Sequence, residues 1–120
     1  MTAADKAEEL SGKFVGLSWY QLLAKDFPGA LASSEAGLKL NPAKRALDTN
    51  RTHALLFLGR IKEAEDIYRK HLGQKISQDT WEKVILDDLK QLEEDGLSSP
   101  DFSKVREIVT PHSSGAGFAR

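Results

Sequence analysis

The 120-residue chain has no cysteine, one methionine and four prolines. Without cysteine there is no disulfide framework, no thiolate nucleophile and no sulfur-ligated metal, although the compartment stays open on this ground alone. An excess of one charge is missing too: Lys plus Arg number 17 and Asp plus Glu 18, a formal net charge of -1. So balanced a chain offers no electrostatic footprint for nucleic acid or an anionic membrane, and neither is expected as a partner. No stretch approaches the run of about 18 apolar residues that a membrane helix needs. The opening MTAADKAEELSGKF lacks the basic segment and apolar run of a signal peptide, so a cytoplasmic location is expected. Strand-like alternation is not found either. What remains, 40% hydrophobic and 29% charged, places the chain among soluble single domains with a real core.

That core is written in helical spacing. From Ala7 to Val109 short amphipathic segments alternate with turns. Leu10, Phe14, Leu17, Leu22 and Leu23 form a first apolar pattern, interrupted by Asp26-Phe27-Pro28-Gly29. Pro28 suits the first turn of a second helix, ALASSEAGLKL, which ends at Asn41-Pro42. A third helix, about Ala43 to Leu58, stops at Gly59, and a fourth, IKEAEDIYRKHL, at Gly73. Ser77, Asp79 or Thr80 is placed to cap a fifth, whose face is Trp81, Ile85, Leu89 and Leu92. Gly96 ends it, and Ser98 or Ser99 before Pro100 opens a sixth carrying Phe102, Val105, Ile108 and Val109. These spacings predict an all-α domain over residues 1–110, about six helices stacked as antiparallel hairpins, with 111–120 (PHSSGAGFAR) as a flexible tail or linker.

The hairpins repeat. One constant interval separates Ala30 from Ala64, Phe27 from Ile61, Tyr20 from Ala54, Leu22 from Leu56, and Leu23 from Phe57. In this the chain resembles the tetratricopeptide repeat family, whose helix–turn–helix unit has that same period, about 34 residues. The turn glycine of that pattern is Gly59, with Lys25 in its place in the first unit. Its early second-helix alanine is Ala30 and then Ala64. Its later aromatic is Tyr68, but Ser34 in the first unit. Its small residue is Gly37, but His71 in the second. The closing proline, Pro42, is missing from the second unit. The matches cover about Gly12 to Ile76. A longer third hairpin, Trp81 to Gly96, reads as a divergent repeat or a cap on the stack.

Little in the sequence carries chemistry. There is no zinc-type His/Cys spacing, no phosphate-binding glycine loop and no nucleophile elbow, and no metal or cofactor is expected. His71 sits near a helix C-terminus, where a protonated ring suits the helix field. Glu65–Arg69 and Asp66–Lys70 have the spacing of intrahelical ion pairs. Asp88 abuts the Trp81/Ile85/Leu89 stripe and is expected to meet a basic residue of the neighbouring hairpin. A hydrolase using Asp87 or Asp88 with another acid is the enzymatic alternative to a non-catalytic binding module.

The resemblance implies a concave groove lined by the first helix of each unit: Val15, Trp19, Leu22 and Leu23, then Thr49, His53, Leu56 and Phe57. Trp19 and His53 occupy equivalent positions and are expected at its surface, since an amphipathic ring suits a half-exposed site. The carboxylate clamp of some family members is not matched: Val15 and Trp19 stand at its first-unit positions, and Asn50 alone fits the set. The expected partner is therefore an apolar or aromatic peptide or helix, or a second copy of the chain.

Overall fold

A computed structural model describes residues 2–110 of the chain, and among them six helices packed one after another as adjacent pairs. The expected tail, 111–120, and His112 within it lie outside the described residues. Helix α1 (Ala3–Leu23) begins ahead of the expected Ala7. Thr2 Oγ1 accepts from the Asp5 amide at 3.0 Å while the Asp5 carboxylate accepts from the Thr2 amide at 3.2 Å, a reciprocal cap. Helix α2 (Phe27–Leu40) follows Asp26, whose carboxylate accepts from the Gly29 amide, with Pro28 in its first turn. Helices α3 (Arg45–Phe57) and α4 (Ile61–Lys70) make the second hairpin.

The two turns share one geometry. Lys25 N–H bonds Leu22 O and Asp26 N–H bonds Gln21 O; Gly59 N–H bonds Leu56 O and Arg60 N–H bonds Leu55 O. Each bond of the first turn thus has its counterpart in the second at the interval that separates Ala30 from Ala64. Lys25 (φ 64°) and Gly59 (φ 82°) both take the left-handed conformation that closes such a turn. Lys25 incurs a steric cost there that glycine does not. Gly96 (φ 88°) ends the fifth helix through the same pair of bonds, at a slightly longer interval from Gly59.

One element departs from the all-helical reading. Lys75–Ile76 (β1) pairs antiparallel with Asp79–Thr80 (β2) around Ser77, which has φ 58°. A two-residue ladder is too short to leave an alternating pattern. Ser77 turns this hairpin, and Thr80 caps α5 (Trp81–Glu94), accepting from the Lys83 amide at 3.2 Å. Helix α6 (Phe102–Val109) is set by Ser99, whose hydroxyl accepts from the Asp101 amide.

The core runs from Leu22 and Ala30 through Ala54, Leu55 and Ala64 to Trp81, Ile85, Leu89 and Val105, all fully buried. Ala30 and Ala64, the matched alanines, are both inaccessible. Gly37 lets α2 approach α1 and α3 closely: a Cβ there would stand 2.7 Å from Leu47 Cδ1 and 2.9 Å from Phe14 Cβ. Phe57 stacks on Phe27 at 4.6 Å and takes Phe102 edge-on at 5.7 Å, an aromatic row linking α2, α3 and α6. Among the described residues no helix is long and apolar enough to cross a membrane.

Candidate interaction site

Helix α3 lies at the centre. Helices α1, α2 and α4 pack against it, and α5 sends Asp88 to it. This placement decides the fate of the eight expected groove residues. Thr49, His53 and Leu56 are buried, His53 completely, and Leu22 on α1 is buried with them. These four do not line an open groove, because the helices around α3 close over the face that would have carried them. Val15, Trp19, Leu23 and Phe57 remain half-exposed, and the last three pack against the core along one edge.

Three buried polar groups on α3 tie down its neighbours. Asn50 donates to Val15 O at 3.0 Å and to Ser18 Oγ at 2.8 Å, holding α1. Thr52 donates to Ala64 O at 2.8 Å, holding α4. His53 Nδ1 lies 2.7 Å from Tyr68 Oη, and its Nε2 lies 3.0 Å from Asp88 Oδ2. Burial drives the Tyr68 phenol far above its usual range. With the ring proton on Nε2, that N–H donates to the Asp88 carboxylate and the Tyr68 hydroxyl donates to Nδ1. The row Tyr68–His53–Asp88 superficially resembles a proton relay, but its tyrosine and histidine have no exposed surface. It works as a strut across α4, α3 and α5. Asp88 thus meets a basic residue of the preceding hairpin, as its position on the stripe suggests. Asp87, by contrast, turns outward to Lys83 at 2.7 Å.

His71, the C-cap of α4, closes a second polar cluster. Its Nδ1 lies 3.0 Å from Gln74 Oε1, and its Nε2 lies 3.3 Å from both Asp48 and Arg45, which pair with each other. Its ring meets the Trp81 indole edge-on at 4.8 Å. Burial lowers the His71 pKa below the ordinary histidine value; Arg45 and Lys70 add to this, and Asp48 and Gln74 oppose it. The neutral ring is therefore favoured, contrary to the expectation of a protonated cap, because desolvation outweighs the pull of Asp48 and Gln74 here. On α4, Glu65 pairs with Arg69 as its spacing suggests, whereas Asp66 turns back to Lys62 at 3.8 Å and leaves Lys70.

The surface is where the sequence is least predictable. Two sides of α1 stand out. On one, Gly12 and Gly16 precede Trp19 by seven and three residues, and a Cβ at either glycine would meet nothing within 4 Å. On the other, Leu10 and Leu17 are 38% and 45% exposed beside Phe14, and next to them Phe14, Ala32, Ala36 and Leu40 line a groove of about 530 Å³ between α1 and α2. Spacing alone assigns Leu10, Phe14 and Leu17 to the core. Their exposure follows from α1 and α2 forming the outermost pair of the stack. No family model, curated protein or solved structure matches this chain. Its surface must speak for itself.

Proposed function

We propose that the chain is a non-catalytic protein-interaction module with a tetratricopeptide-like arrangement of hairpins. It grips an apolar or aromatic segment of a partner along the side of α1 that carries Gly12, Gly16, Trp19 and Leu23. The turn hydrogen bonds that recur from the first hairpin to the second support the repeat-like arrangement. The observation that carries the binding reading is the open ground beside Trp19. Two glycines inside a helix cost roughly 0.5–1 kcal/mol each relative to alanine, and nothing within the fold occupies the space they leave. A backbone kept bare next to a half-buried indole lets another chain approach closely and use the ring as an anchor.

The test uses Gly16→Leu, which adds bulk outside the fold without a clash inside it. Partners captured on the unmodified protein and identified by mass spectrometry are purified, and their affinity is measured directly. Gly16→Leu is expected to weaken binding by about tenfold or more while leaving the melting temperature unchanged or raised. Trp19→Ala is expected to weaken it as strongly, at some cost in stability because the ring also packs on the core. Binding indifferent to both substitutions would overturn this reading.

A further inference from the structure

The joint between the second hairpin and α5 turns on one buried side chain. Three elements close on His71: α3 through Arg45 and Asp48, the turn after α4 through Gln74, and α5 through the Trp81 indole. These partners fix where the ring proton sits. Gln74 Oε1 can only accept, so Nδ1, 3.0 Å away, carries the proton and donates. Arg45 can only donate, so Nε2, 3.3 Å from its Nη1, accepts. His53 is the reverse, with its proton on Nε2 toward Asp88. Asp48 Oδ2 also lies 3.3 Å from the His71 Nε2, an acceptor to which this neutral tautomer has nothing to give.

A second proton cannot enter the ring without a rearrangement. It would sit on Nε2 and set one N–H against another, and a cation against the guanidinium. We infer that His71 is a proton-operated latch: the neutral ring holds Arg45 through Nε2, and the protonated ring exchanges that bond for one to Asp48 and turns Arg45 away. Arg45 has space to receive it. Its side chain already borders a cleft of about 440 Å³ between the α2–α3 connection and the β1–β2 hairpin, together with Lys44 and Lys75. Its remaining bonds, to Asp48 and to Pro42 O at 3.1 Å, tether the guanidinium while it swings. The charges facing His71 are Asp48 and Arg45 from α3 and Lys70 from its own helix, while Glu82 of α5 is taken up by the Gly73 amide at 3.0 and 3.1 Å. Burial first, and then the two cations, hold protonation below the ordinary histidine value against Asp48 and Gln74. The exchange therefore takes place below about pH 6.5. As the medium acidifies, the guanidinium moves into the cleft and its wall becomes more basic.

Nitrogen NMR of the full chain through a pH titration tests the latch. Above the midpoint, the His71 ring is expected as the Nδ1–H tautomer. The Arg45 Nε–H resonance is expected to move with the His71 midpoint, while that of Arg51, bonded to Glu35 at 3.1 Å, does not follow it. His71→Gln is expected to abolish the Arg45 movement with the helical circular dichroism retained. Arg45→Gln is expected to raise the His71 midpoint, and Asp48→Asn to lower it. Those two shifts would follow from charge alone, so the tautomer and the shared midpoint carry the test. A neutral ring with its proton on Nε2, an Arg45 signal that ignores His71, or an Arg45 movement that survives His71→Gln overturns the inference.

Discussion

The two N-terminal hairpins share a turn, a period and a pair of buried alanines, yet their buried polar side chains do different things. Apart from Leu22, the buried positions of α1 and α2 are small: Ser11, Ser18, Ala30, Ser33, Ser34 and Gly37. Ser11, Ser18 and Ser34 donate to carbonyls of their own helices, at 2.8–3.1 Å, so these bonds link nothing across the hairpin. On α3 and α4 the buried positions are larger and mix apolar with polar side chains, and Thr52, His53 and Tyr68 bond from one helix to the other. Lys44 and Arg51 of the second hairpin reach back to Glu8 and Glu35 of the first. A common backbone plan thus tolerates close apposition through small residues in one unit and directed hydrogen bonds in the next.

The largest expected effect tests the polar half of this contrast. His53→Ala removes a bond from both Tyr68 and Asp88 and opens a cavity in the core, and is expected to cost about 3–5 kcal/mol in urea denaturation. Ser34→Ala, at a site just as buried, is expected to cost under about 1 kcal/mol because its hydroxyl serves only its own helix. Equal losses would erase the distinction between the hairpins.

The small-residue half is tested at Gly37. A methyl group there meets Leu47 and Phe14 inside normal contact distance, so Gly37→Ala is expected to destabilise by about 1–3 kcal/mol despite its better helix propensity. The equivalent position in the second hairpin holds His71, which shows how far the two spacings differ. A gain in stability would mean that α2 can move away from its neighbours at little cost.

The smallest effect belongs to His71 and is read against pH. Its pKa is lower in the folded protein than in the unfolded chain, so the unfolded chain takes up the proton first as pH falls. The stability tied to the neutral ring is complete above about pH 6.5 and declines as pH drops from there to the folded-state value. The melting temperature of His71→Asn is therefore expected to fall less than that of the original chain between about pH 7.5 and about pH 5. Parallel profiles would show that the ring titrates alike in both states.

Helix order, the glycine and lysine turn positions, the constant offset between the hairpins and the buried alanines were all legible in the sequence, because each rests on local spacing or on a backbone conformation that few residues adopt. The candidate site was legible only in part. Trp19 keeps a half-exposed face, but His53, its counterpart in the repeat, is buried by a tyrosine 15 residues away and an aspartate 35 residues away. Spacing within one helix cannot show that a later helix will cover it. Leu10 and Leu17 failed in the other direction. Periodicity marks a face as apolar without saying whether the chain itself supplies the cover.

The polar bonds between helices span short stretches of chain. From Glu8–Lys44 to Asn50–Val15 and His53–Asp88, none of the side-chain hydrogen bonds among the described residues joins positions more than 36 apart. Closing a loop of that size carries only a modest entropic cost, and no step has to wait for the two ends of the chain to find one another. Bonds this local in sequence are expected to let the chain fold quickly, with the bonds that tie α3 to α1, α4 and α5 making its parts melt together.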